Sequence, residues 1–89
     1  MNFYEFLGRL YERNLPYLNN DYQSDWFSRE WVEHDLYRVG RDKLQEYIER
    51  ATRENYLNRF KTRDGYIYYK FSEKGLELGV REMVLEALK

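Results

Sequence analysis

Phe3, Phe6, Leu7, Leu10 and Tyr11 recur at steps of three and four, which puts them on one stripe of a helix over residues 2–14. Pro16, just after Asn14, supplies the stop, because proline has no amide hydrogen and crowds the preceding turn. Residues 15–23 (LPYLNNDYQ) are turn-rich around Asn19-Asn20-Asp21. The pattern leaves open whether 15–27 also adds a strand. Phe27, Trp31, Val32 and Leu36, with Asp35 among them, predict a second helix that starts at residue 24 or 28 and ends at Tyr37. Ser24 and Ser28 are the two N-cap candidates. Val39-Gly40 makes a short turn. Leu44, Tyr47, Ile48 and Ala51 then mark the inner stripe of a third helix over 41–55.

After residue 55 the period changes to two. Residues 56–61 (YLNRFK) and 66–71 (YIYYKF) read as strands joined by TRDG. Asp64-Gly65 predicts a tight hairpin turn with both residues at positive φ. An even register would place Phe60, Ile67, Tyr69 and Phe71 on one face, and Arg59, Lys61, Tyr66, Tyr68 and Lys70 on the other, with Arg63 at the tip. Ser72 caps a last helix over 73–88, whose stripe is Leu76, Val80, Met83, Val84, Ala87 and Leu88. Gly75 and Gly79 weaken its first turns. The fold class expected is α+β, mostly helical, in a single domain over 1–89.

Composition permits such a core. Leu, Phe, Val and Ile make up 22 of the 89 residues, above the level of roughly 20 % at which chains stay unfolded, and ten tyrosines and two tryptophans add to it. The absence of cysteine removes disulfide scaffolds, thiolate metal sites and cysteine nucleophiles. No apolar run reaches the roughly 20 residues of a membrane span. Glu5, Arg9, Glu12 and Arg13 interrupt the N-terminal segment, unlike a signal peptide. A soluble, cytoplasmic protein is expected.

The order helix, helix, turn, helix, hairpin, helix is the layout of a winged helix-turn-helix. SREWVEHDLYRVGRDKLQEYIERATRENYL (28–57) resembles the helix-turn-helix and the "x-G-Y-L" lead into the wing, with Asn55 where many relatives have Gly. YYKFSEKGLEL (68–78) is similar to the "Y-x-L-T-x-x-G-x-x-L" ending of PadR-like and MarR-like regulators, with Phe71 for Leu and Ser72 for Thr. The resemblance covers residues 24–89: a helix-turn-helix over 24–55, a two-stranded wing over 56–71 and a C-terminal helix over 73–88. It implies a three-helix bundle with a wing, a third helix in the major groove, and terminal helices that pair two subunits. Phe3, Leu7, Leu10, Leu76, Val80, Met83, Val84, Ala87 and Leu88 would form that homodimer interface.

Charge partly supports this reading. Residues 1–37 carry net −4, residues 38–70 net +4 and residues 71–89 net −1. The middle third is therefore the candidate polyanion surface. Arg59, Lys61, Arg63, Tyr66, Tyr68 and Lys70 on the wing, with Arg41, Lys43, Arg50 and Arg53 on the third helix, are the candidate contacts to duplex DNA. Against it, Asp42, Glu46 and Glu49 lie on the outward ridge of the third helix. Two functions follow: a small dimeric winged-helix transcriptional regulator, or a protein–protein interaction module that binds no DNA.

Other chemistry is thin. His34 stands four residues after Glu30, a spacing that could hold a metal, but the pair lacks a third ligand. Ser24, Ser28 and Ser72 have no histidine base and read as caps. Glu46/Glu49 and Glu73/Glu77 are carboxylate pairs of the kind solvent-facing helices carry routinely. Trp26, Phe27 and Trp31 cluster at helical spacing and read as core, with an exposed partner-binding patch as the alternative. No enzyme and no cofactor is expected.

Overall fold

The computed structural model describes residues 1–18 and 26–89. Its elements are α1 (Phe3–Leu18), β1 (Phe27–Ser28), α2 (Arg29–Asp35), a 3-10 turn (Tyr37–Val39), α3 (Arg41–Arg53), β2 (Leu57–Lys61), β3 (Ile67–Phe71) and α4 (Glu73–Ala87). Among the described residues the strands form one antiparallel sheet in the order β1-β3-β2. The protein is thus α+β and mostly helical. The short β1, undecided from the sequence, pairs Phe27 with Tyr69 and Ser28 with Tyr68.

Each helix end has a local cause. Asn2 caps α1 by accepting from the Glu5 amide at 2.8 Å, while its own amide donates to the Glu5 carboxylate at 3.3 Å. Ser28, rather than Ser24, starts α2, accepting from Trp31 N at 3.1 Å. Ser24 lies outside the described residues. The third helix ends in a Schellman arrangement. Tyr56 N donates to Ala51 O at 2.8 Å, Asn55 N donates to Thr52 O at 3.2 Å, and Asn55 takes φ 65°. Asparagine tolerates that left-handed position, so it does here what glycine does elsewhere. Ser72 caps α4, accepting from Gly75 N at 3.0 Å.

The stop expected at Pro16 is overridden, and α1 runs on to Leu18. A proline this near the C-terminus forfeits one hydrogen bond and has little helix left to break. Tertiary contact compensates, since Tyr17 stacks edge-on against Trp31 with centroids 6.2 Å apart.

One core joins every layer. Phe3, Phe6, Leu7 and Leu10 of α1 pack with Val32, Leu36, Leu44, Tyr47, Ile48 and Ala51 of the helices, and with Phe27, Leu57, Tyr69, Phe71 and Leu78. The inner stripe of α3 is as expected. That of α4 is rotated: Gly75, Leu78 and Gly79 are buried, while Val80 and Val84 are exposed. The glycines explain the rotation. A Cβ on Gly75 would lie 2.0 Å from Tyr56 O, and one on Gly79 would lie 2.7 Å from Tyr11 Cβ. Where the sequence suggests only weakened helix, the two glycines let α4 approach the α3–β2 junction and α1 closely.

Candidate nucleic-acid interface

On α3 most charges are tied locally. Lys43 Nζ lies 3.4 Å from Glu46 Oε2, and Arg50 Nε donates to Glu54 Oε2 at 2.5 Å. Arg29 of α2 donates to Gln45 Oε1 at 2.8 Å, and Gln45 in turn donates to Glu49 at 3.1 Å, so the two helices are fastened at their surface. The Arg50 guanidinium also lies 4.1 Å from the Phe3 ring centroid and 5.6 Å from that of Tyr4. Its hydrogen bond to Glu54 raises its pKa further above the usual arginine value. Arg41 and Arg53, at the two ends of α3, are exposed and without a partner among the described residues. Asp42, Glu46 and Glu49 are all exposed, so the acidic ridge is real.

The hairpin corrects the expected faces. Its turn closes through Thr62 N donating to Tyr66 O at 2.8 Å and Gly65 N donating to Thr62 O at 3.1 Å. Gly65 alone takes positive φ, at 90°, and Asp64 does not. Three residues, Arg63, Asp64 and Gly65, therefore span the loop in place of two. That extra residue shifts the pairing by one and reverses one strand relative to the other. Leu57 pairs with Phe71, Arg59 with Tyr69 and Lys61 with Ile67, which puts Arg59 and Lys61 on the core-side face. Phe60 pairs with Tyr68 and Asn58 with Lys70, on the opposite face. The cations and Phe60 have thus exchanged sides.

Leu57, Tyr69 and Phe71 anchor the core-side face, Ile67 packs against the core farther along the hairpin, and Arg59, Lys61 and Arg63 are exposed. None of the three has a carboxylate within ion-pair distance among the described residues. Tyr66 is exposed, whereas Tyr68 and Lys70 are half-buried, with Lys70 Nζ 5.7 Å from the Trp26 ring centroid. Trp26, grouped with the core by sequence, stands instead on the outer face of the sheet beside Phe60. No sequence signal short of the correct register could have joined those two rings.

The expected dimer surface divides. Phe3, Leu7 and Leu10 are 3 %, 0 % and 0 % exposed and belong to the core of the single chain. They are not accessible to a second copy. On α4, Val80, Val84, Ala87 and Leu88 are exposed, and Leu76 and Met83 are half-buried.

His34 is exposed, with Nδ1 3.5 Å from the carboxylate of its neighbour Asp35. Among the described residues no three His, Asp or Glu side chains could hold a metal ion, and no helix is long and apolar enough to cross a membrane. Compared with known proteins, the chain matches no family model, no curated protein and no solved structure.

Proposed function

We propose that this protein is a winged-helix DNA-binding domain that holds duplex DNA chiefly through its wing. The observation that carries the reading is the set of three exposed cations without carboxylate partners among the described residues, Arg59, Lys61 and Arg63, on the β2–β3 hairpin. Support comes from the order α1-β1-α2-α3-β2-β3-α4, which keeps the layout of two helices, a third helix, a hairpin and a last helix that a winged helix-turn-helix has. Arg41 and Arg53 add charge at the ends of α3, where they reach backbone phosphates. The acidic ridge between them keeps base contacts few. Affinity is then mostly electrostatic, steep in salt and tolerant of sequence.

The role that fits is a small transcriptional regulator acting as a homodimer. The second copy docks on the α4 stripe of Val80, Met83, Val84, Ala87 and Leu88, with α1 confined to the core. Fluorescence anisotropy with a labelled duplex across a salt series tests the binding. Wild-type affinity should fall linearly in log–log form as salt rises, and a flat response at low ionic strength sinks the proposal. Sedimentation should give twice the chain mass, and Val84→Glu should halve it.

A second reading keeps the same frame but makes the α3 ridge a docking face for a basic protein. The exposed Asp42, Glu46 and Glu49 favour it. Glu46→Lys with Glu49→Lys separates the two: duplex affinity rises on the first reading, and protein capture is lost on the second.

A further inference from the structure

The face of the sheet opposite Leu57, Tyr69 and Phe71 carries aromatic rings that lie outside the hydrophobic core. Phe60 is 52 % exposed, and its ring lies 5.6 Å from that of Trp26 at an angle of 57°. Trp26, Phe60, Thr62 and Tyr68 line a shallow groove of about 410 Å³. The pairing register explains their company. Phe60 faces Tyr68 across the hairpin, and Ser28 faces Tyr68 from the other side, so Trp26, two residues before Ser28, falls on this same face. Arg59, Lys61 and Arg63, exposed and without carboxylate partners among the described residues, belong to the same ribbon.

We propose that this groove stacks an unpaired nucleobase, from a single-stranded tail beside a duplex, with the adjoining phosphate on Arg63 in the turn. The inference rests on the nucleic-acid reading above and narrows it. Two features together select the ligand. The lining is aromatic, so it offers a π-face to any base. Arg63 follows Thr62, which lines the groove, and stands in the exposed turn just past the end of β2. A nucleotide brings a planar apolar ring and an anion on one short tether, and this hairpin offers an aromatic groove with a cation in the adjoining turn. A proline-rich peptide would fill the groove but leave the cations unanswered.

The test compares a blunt duplex, the same duplex with a short oligothymidine tail, and free oligothymidine, all by anisotropy at low salt. The tailed duplex should bind about tenfold tighter than the blunt one, as expected for one or two stacked bases. Phe60→Ala should remove that preference and leave blunt-duplex affinity unchanged. Phe60→Leu keeps apolar bulk against Trp26 without a π-face, and should lose the preference with its melting temperature intact. A tail that adds nothing, or a Phe60 variant that weakens blunt and tailed duplex equally, overturns the proposal. So does binding of a proline-rich peptide in place of the oligonucleotides. Affinity for oligothymidine without affinity for blunt duplex supports the stacking site and removes the duplex reading. Duplex binding with no preference for the tail does the reverse.

Discussion

The third helix and the wing draw on the same residue types, yet their charges behave differently. On α3 two of the four cations find a carboxylate one turn away, Lys43 in Glu46 and Arg50 in Glu54. Residues three and four apart on a helix are neighbours, so opposite charges at that spacing pair within the element. On a strand the nearest same-face residue lies two positions away, at about 6.6 Å, and the cross-strand neighbour decides the company. Arg59 faces Tyr69 and Lys61 faces Ile67, so neither meets a carboxylate. A count of cations along the chain gives four to α3 (41–53) and four to the hairpin segment (56–71), but three carboxylates to the first and one to the second. Geometry leaves most α3 charges answered, and Arg59, Lys61 and Arg63 without a carboxylate among the described residues.

The largest effect should come from the joint between the two regions. Gly75 of α4 sits against Tyr56 O, where α3 hands over to β2. A methyl group there meets backbone, which cannot step aside as a side chain could. Gly75→Ala should therefore destabilise by about 3 kcal/mol, the upper range of overpacking, despite alanine's better helix propensity. For a domain of this size that lowers Tm by roughly 10–20 °C in a thermal melt. An unchanged Tm would mean that α4 does not press on the junction and that wing and helix are positioned some other way.

Next in size is the wing itself. Replacing Lys61 and Arg63 with Ala touches no core contact and should leave the melt unchanged. The slope of log affinity against log salt should become shallower by about 1.8, two phosphate contacts' worth. The complementary change on α3, Glu46→Lys with Glu49→Lys, should raise duplex affinity several-fold by removing repulsion from the ridge. If the α3 pair alters the salt slope and the wing pair does not, the roles assigned to the two regions are reversed.

Much of this architecture was legible in the sequence. The stripes of α1 and α3, the presence of the two hairpin strands, and the caps Ser28 and Ser72 follow from periodicity and short-range chemistry, which act over a few residues. What the sequence did not disclose depended on contacts across the chain. The pull of Tyr17 toward Trp31 carried α1 past Pro16. The rotation of α4 needed knowledge of what Gly75 and Gly79 touch. The faces of the wing hung on one residue of loop length: Asp64-Gly65 suggested a two-residue turn, the hydrogen bonds close a three-residue one, and the cations changed sides. That small difference separates a wing of mixed cations and tyrosines from one with a charged face and an aromatic face.

Arg50 sharpens the comparison with the smallest effect. By sequence it belongs with Arg53, Arg59, Lys61 and Arg63, since all five are basic and lie in the positive middle third. In the fold its guanidinium is engaged by Glu54 and covers the rings of Phe3 and Tyr4, so it ties the C-terminal half of α3 to the start of α1. Displacing it toward a phosphate would strip those contacts and leave Glu54 facing the polyanion. Arg50→Ala should accordingly lower Tm by a few degrees and leave both duplex affinity and the salt slope where they were, whereas Arg63→Ala should do the opposite. Equal loss of binding in the two variants would show that local pairing on α3 is too weak to withhold a charge from DNA, and the contrast between helix and wing would lose its physical basis.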